Sequence, residues 1–174
     1  AMFTASHNPA AYNGIKLCRA GAKPVGKDTG LTVISDEVIA GVPDYDGARG
    51  SVSERDVLAD YGDFLRALVD VGGQRTLKVA VDAGNGMAGH TTPAVLGVIP
   101  SMTLLPLFFE LDGNFPNHEA NPLDPANLVD LQAYVLQTGA DIGLAFDGDA
   151  DRCFVVDELG QAVSPSAVTA LVAA

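Results

Sequence analysis

Leu77-Lys78-Val79-Ala80-Val81 followed by Asp82-Ala83-Gly84-Asn85-Gly86 (residues 77–86) is the stretch on which the fold turns. Its aliphatic first half predicts a buried strand, and the small, turn-forming residues after it predict a tight turn. A helix is expected from there to about Gly97, with Pro93 tolerable only in the first turn, because proline lacks the amide a helix interior needs. Working downstream, Thr103 to Phe109 reads as a second strand and 110–123 as a loop rich in Asn and Pro. Asp124 with Pro125 then marks a helix start, with Leu128, Leu131, Val135 and Leu136 turned inward and Gly139 as the stop. Asp141 to Phe146 and Cys153 to Val156 read as strands around Asp147-Gly148-Asp149-Ala150-Asp151-Arg152. A turn at Glu158-Leu159-Gly160 leads to a helix capped at Ser164. Strand and helix alternate from 77 to 147, which predicts an α/β domain of three-layer type. Its sheet should be mixed, largely parallel and covered by helices.

Upstream the signals are weaker. Thr4-Ala5-Ser6-His7-Asn8-Pro9 is a loop by composition, and Gly14 to Cys18 suits a short strand. Leu31, Ile34, Val38 and Ile39 recur at helical spacing. Gly41 to Gly50 reads as a linker, after which Ser53 is the expected cap of a helix with Val57, Leu58, Tyr61, Phe64, Leu65 and Leu68 on one face.

With 174 residues, 48% hydrophobic and 18% charged, the chain belongs among globular proteins. Its net charge of −12 opposes binding to nucleic acid or to anionic membrane surfaces, both of which need clustered Lys and Arg. Cys18 and Cys153 stand far apart in sequence without a CxxC partner, which suits a reducing cytoplasm better than a disulfide framework. No apolar run is long enough for a membrane span.

Three motifs could carry chemistry. Asp147, Asp149 and Asp151 alternate with Gly148 and Ala150, so a curled backbone would converge their oxygens on a hard divalent cation. The bland alternative is a solvated acidic turn. An EF-hand loop also starts D-x-D-x-D, but Arg152 stands where that loop needs glycine and the flanks are strand-like. Open coordination positions suit Mg²⁺ shared with a phosphate, and Arg152 either grips a phosphate oxygen or neutralises the aspartates. Ser6, in its loop of small residues, is either a turn former or a nucleophile and phosphate carrier. His7 and Lys16 have ordinary readings as a loop hydrogen-bonder and a surface amine. Gly84-x-Gly86-x-x-Gly89 has the spacing of a dinucleotide-binding turn, with Glu110 at the distance of the ribose-binding acid. Pro93 in the following helix and the lack of a dehydrogenase-sized sheet favour a plain strand-to-helix turn.

Taken together, Thr4–Pro9 with Tyr12-Asn13-Gly14-Ile15-Lys16, and Asp147–Arg152, resemble the phosphoserine loop and metal loop of the α-D-phosphohexomutases. Phe115-Pro116-Asn117-His118 with Asn121-Pro122, and Val81 to Gly86, resemble parts of that family's second domain. Tyr12 and Ala150 look more like the phosphomannomutase/phosphoglucomutase branch than the phosphoglucosamine branch. The resemblance implies a mutase that carries a phosphoryl group on Ser6, with Ser6, Asp147, Asp149 and Asp151 around one Mg²⁺. The phosphoryl would pass to a hexose 1- or 6-phosphate through a hexose 1,6-bisphosphate. Lys16 would assist proton transfer, Arg152 would steady the transferring group and His7 would shape the loop. It also implies a division into 1–52 (remnant of the first domain), 53–161 (second domain) and 162–174 (start of a third). The family's Gly-Glu-x-Ser and Arg-x-Ser-x-Thr loops are not found. The chain is therefore expected to be a fragment of a cytoplasmic enzyme, inactive alone and prone to self-association through uncovered apolar faces.

Overall fold

The computed structural model describes residues 1–69 and 75–174. They group into two compact units, Ala1–Thr4 with Asn13–Arg55, and Ala5–Tyr12 with Asp56–Ala174. In the first unit, short antiparallel ladders join β1 (Met2–Phe3) to β2 (Ile15–Lys16) and β3 (Cys18–Arg19) to β4 (Lys23–Pro24). α1 (Leu31–Ala40) follows where the spacing of Leu31, Ile34, Val38 and Ile39 predicts it, and none of its residues is buried.

The second unit begins its continuous course with α2 (Leu58–Leu68). Its start differs from the expectation. Asp56 Oδ1, not Ser53, accepts the Leu58 amide at 2.9 Å. Its apolar face differs too. Tyr61, Phe64 and Leu68 are exposed, and Gly62 is the residue of α2 that is buried. The cause is the close approach of α3 (Ala88–Val95): a Cβ on Gly62 would lie 2.8 Å from the Ala94 carbonyl, which also accepts from the Arg66 side chain through Nη1 at 2.6 Å.

β5 (Leu77–Asp82) is the centre of a sheet ordered β6-β5-β7-β8-β9, with β6 at Met102–Leu107, β7 at Ile142–Phe146, β8 at Cys153–Val156 and β9 at Ala162–Val163. It pairs in parallel with β6 and β7, while β8 and β9 add antiparallel. The expected mixed sheet is thus present. Parallel neighbours need long crossovers, and α3 and α4 (Val129–Thr138) lie within the two that are required. α3 departs from expectation at Pro93, which lies inside the helix beyond its first turn. The helix is only eight residues long, so the missing amide removes a single bond near its end.

The boundaries of α4 follow their signals. Asp124 Oδ1 accepts the Ala126 amide at 2.9 Å before a 3₁₀ turn at Pro125–Leu128, and Gly139 closes the helix with φ of 62°. Ser164 Oγ likewise accepts the Ala167 amide at the start of α5 (Pro165–Val172). Leu128, Leu131 and Val135 pack on Ala80, Ala145 and Val156 to form the core. Leu136, expected inward, is 61% exposed, because the sheet-facing arc of α4 is already filled by its neighbours and Leu136 lies over Gly160 in the β8–β9 turn.

β5 ends on a buried charge. Asp82, 1% exposed, accepts the Gly84 amide through Oδ1 at 2.8 Å, and its Oδ2 meets His118 Nε2 at 3.0 Å. The other ring nitrogen, Nδ1, faces the Glu119 carbonyl at 2.9 Å. Both partners only accept hydrogen bonds, so the ring makes both bonds as an imidazolium. The hydrogen bond to Asp82 raises the His118 pKa above the usual 6.5, against the opposing effect of burial.

Two outcomes test this packing in urea denaturation. Leu131→Ala should cost about 2–5 kcal/mol, whereas Leu136→Ala should cost well under 1 kcal/mol. Equal losses would refute the inward face assigned to α4. The His118 ring binds its proton more tightly when folded. Its contribution is therefore complete below about pH 6.5 and is lost as pH rises through the elevated native value. The urea midpoint should fall across that window in the wild-type chain and fall less in His118→Gln. A midpoint equally pH-dependent in both proteins would remove the ion pair from the account.

Candidate active site

The 147–152 loop follows β7 directly, and two bonds within it close its curl. The Ala150 amide bonds the Asp147 carbonyl at 3.0 Å, and Asp147 Oδ1 accepts the Arg152 amide at 3.1 Å. Ala150 takes φ of 60°, in the left-handed region that non-glycine residues enter at a cost of about 1–2 kcal/mol. That curl brings one oxygen from each of Asp147, Asp149 and Asp151 within 4.8 Å of the others. Asp147 is fully buried, Asp149 half-buried and Asp151 exposed.

Such a group is electrostatically unstable without positive charge, because like charges in a partly desolvated site repel. Arg152 supplies part of it, with Nε 3.4 Å from Asp147 and 3.6 Å from Asp151. Three carboxylates and one guanidinium leave a net negative pocket of hard oxygen donors, which fits a divalent cation of the Mg²⁺ or Ca²⁺ kind.

The serine loop lies against this cluster within the same unit. Two turns shape it, with the Asn8 amide bonding Ala5 O at 3.0 Å and the Tyr12 amide bonding Pro9 O at 2.9 Å. Ser6 also occupies the left-handed region, at φ of 53°. Its hydroxyl donates to Asp147 Oδ2 at 2.6 Å, a contact between residues 141 positions apart. Arg152 Nη2 lies 3.4 Å from Ser6 Oγ and 2.6 Å from His7 Nδ1, and the His7 nitrogen is itself 3.5 Å from Ser6 Oγ. A guanidinium only donates, so His7 accepts from it and carries its ring proton on Nε2.

The structure therefore brings together Ser6, His7, Asp147, Asp149, Asp151 and Arg152. Lys16 sits exposed on β2 in the first unit.

The Gly84-x-Gly86-x-x-Gly89 turn serves a different purpose from dinucleotide binding. A Cβ on Gly86 would lie 2.7 Å from the Gly148 carbonyl, which the Met87 amide bonds at 3.0 Å. A Cβ on Gly89 would lie 2.2 Å from the Phe109 carbonyl. The space that a pyrophosphate would use is filled by the metal loop and the β6 exit. Glu110 contributes its backbone carbonyl, which accepts from Asn85 Nδ2 at 2.8 Å.

Sequence reasoning met Asp82, Asn85, Asn117 and His118 only inside family motifs and gave none of them a role; Asn117 Nδ2 donates to Asn85 Oδ1 at 2.7 Å. The available signal was a carboxylate ending an apolar strand, since a buried charge demands a partner.

The family described as phosphoglucomutase/phosphomannomutase, alpha/beta/alpha domain II, matches residues 59–160, and domain I of the same family matches 1–40. A phosphomannomutase of Salmonella montevideo is 41% identical over 98% of this chain and 39% of its own length. A phosphomannomutase/phosphoglucomutase of Pseudomonas putida is 42% identical over 99% of this chain and 36% of its own. A crystal structure of a phosphoglucomutase/phosphomannomutase family protein from Burkholderia thailandensis superposes with a TM-score of 0.84 at 37% identity, covering 98% of this chain and 36% of that one. The chain thus spans under two fifths of the length of these relatives. With matched domains over more than half its residues, and a fold shared with solved members, the chain belongs to the phosphoglucomutase/phosphomannomutase family.

Proposed function

We propose that the chain is the phosphoryl-carrying and metal-binding part of a Mg²⁺-dependent phosphohexomutase that interconverts hexose 1-phosphate and hexose 6-phosphate in the cytoplasm. The observation that carries this reading is the 2.6 Å bond from the Ser6 hydroxyl to Asp147, the first residue of the carboxylate cluster. A nucleophile and a cation site share one atom pair there, as phosphoryl transfer to and from a side chain requires. Relatives named phosphomannomutase and phosphoglucomutase support the substrate class. The same reading makes 1–52, 53–161 and 162–174 parts of three successive mutase domains.

Asp147, Asp149 and Asp151, with an oxygen of Ser6 or its phosphate, would hold the Mg²⁺. When bound, that ion offsets the charge of the transferring group. The remaining steps belong to the chain. Phosphoserine at position 6 gives its phosphoryl to a sugar hydroxyl: the bond from Ser6 Oγ to phosphorus breaks as a bond from the sugar oxygen forms. The hydroxyl proton leaves with assistance from Lys16, a role that rests on the Asn13-Gly14-Ile15-Lys16 motif. The resulting hexose 1,6-bisphosphate reorients and returns its other phosphoryl to Ser6. Arg152 would steady the group in transit, a role supported by its Nη2 lying 3.4 Å from Ser6 Oγ, and His7 would hold Arg152 by accepting its Nη2–H. Exposed apolar side chains such as Val33, Ile39 and Leu171 support self-association of the chain by itself.

Calorimetric titration of the 174-residue chain should show Mg²⁺ binding that Asp149→Ala abolishes. Retention of wild-type affinity in the variant would remove the metal loop from the proposal. The purified chain, primed with glucose 1,6-bisphosphate, should not convert glucose 1-phosphate to glucose 6-phosphate, because orientation and binding of the sugar by the rest of a mutase supply much of the rate. Measured turnover would show that these residues suffice on their own.

A further inference from the structure

Gly148, between the first two aspartates of the metal loop, is approached from three directions. A Cβ placed on it would lie 2.3 Å from the Ser6 carbonyl and 3.7 Å from Ala120 Cβ, and its own carbonyl takes the Met87 amide at 3.0 Å. Two of these neighbours lead back to one carboxylate. The 83–87 turn is shaped by the Gly84 amide on Asp82 Oδ1. The segment around Ala120 is tied to Asp82 Oδ2 through His118, whose other nitrogen bonds the Glu119 carbonyl. The His118 side chain is 13% exposed and that of Asp82 1%, and the ring packs edge-on to Phe108 with centroids 5.4 Å apart. His118 Cε1 also lies 3.4 Å from where a Cβ on Gly84 would stand, so the ring is wedged between the two segments.

The geometry points to His118 as a positioning residue for the metal loop: bound to Asp82 and lodged against Gly84, it steadies the 83–87 turn, whose Met87 amide bonds the Gly148 carbonyl, and the neighbouring Ala120 segment, and so supports the curl on which Asp147, Asp149 and Asp151 converge. The inference rests on the reading of 147–151 as a Mg²⁺ site. It gives the buried pair a purpose beyond stability. A buried ion pair is weak evidence for net stabilisation, whereas partners behind a metal site orient its ligands and tune affinity. The ring touches neither the ion nor the substrate in this account and acts only through the backbone it restrains.

Mg²⁺ calorimetry and amide hydrogen exchange on four versions of the 174-residue chain test the idea: wild type, Asp149→Ala, His118→Gln and Ala120→Gly. His118→Gln should stay folded by circular dichroism, bind Mg²⁺ about tenfold or more weakly, and exchange the Gly148 amide faster without metal. A role confined to stability would lower the melting temperature but leave the affinity of the folded protein unchanged. A folded His118→Gln chain with wild-type Mg²⁺ affinity and wild-type Gly148 exchange would overturn the inference. Should that variant not fold, Ala120→Gly decides, because it keeps the ion pair and removes only the methyl beside Gly148. Weaker Mg²⁺ binding there supports the positioning role, and unchanged binding defeats it. If the wild-type chain binds no Mg²⁺, the metal-loop reading fails and this inference fails with it. If Asp149→Ala abolishes binding while His118→Gln and Ala120→Gly leave it intact, only this inference fails.

Discussion

The close approach of backbone to Gly148 is the constraint on which the site depends. Carboxylates at alternate positions share one face of an extended chain but stand about 6.6 Å apart from one to the next, and a tight curl is what draws their oxygens to one point. The curl here closes within 147–152, and it is met from outside by the Ser6 carbonyl and by the 83–87 turn, whose Met87 amide bonds the Gly148 carbonyl. A Cβ at 148 would stand 2.3 Å from the Ser6 carbonyl, so a side chain there would drive the serine loop away. The serine loop and the metal loop are therefore not two sites that happen to face each other. They share a packing contact, and the 2.6 Å bond between Ser6 and Asp147 is its polar edge.

Much of the fold was legible because local signals there have local causes. Asp124, Gly139 and Ser164 act within a turn of their own positions, through a cap, a left-handed stop and a cap. The run from Leu77 to Val81 reads as a strand because it is short, carries two valines and is followed at once by turn-forming residues, with Lys78 alone facing out. The misjudged features were all decided by distant partners. α2 turned out to bury Gly62 because α3 approaches it there, which no pattern within α2 encodes. Leu136 has the chemistry of a core residue, but the residues already on the sheet-facing arc, Leu131 and Val135, leave it no place.

The site divides in the same way. The D-x-D-x-D spacing announces a cation on its own terms, because three carboxylates so close need compensation. Ser6 announces nothing alone. Its significance comes from a contact across 141 residues, which a single sequence cannot reveal except through likeness to a family. His118 and Asp82 were the least legible, since each has an unremarkable local reading. Their partnership appears only once β5 and the loop after β6 are set side by side.

The Gly84–Gly89 turn shows why spacing alone underdetermines chemistry. Glycines at these positions report that some backbone must come close, and they do not say whose. In a dinucleotide-binding turn the close partner is a pyrophosphate. Here the partners are the Gly148 and Phe109 carbonyls, which present acceptors instead of an anion. An anion would want free amides at this turn, yet the Met87 amide is already spent on Gly148 and the Gly84 amide on Asp82. The same glycine pattern thus serves opposite electrostatic ends. In this chain it packs behind the carboxylate cluster, and Arg152 stands on the serine side, with Nη2 3.4 Å from Ser6 Oγ.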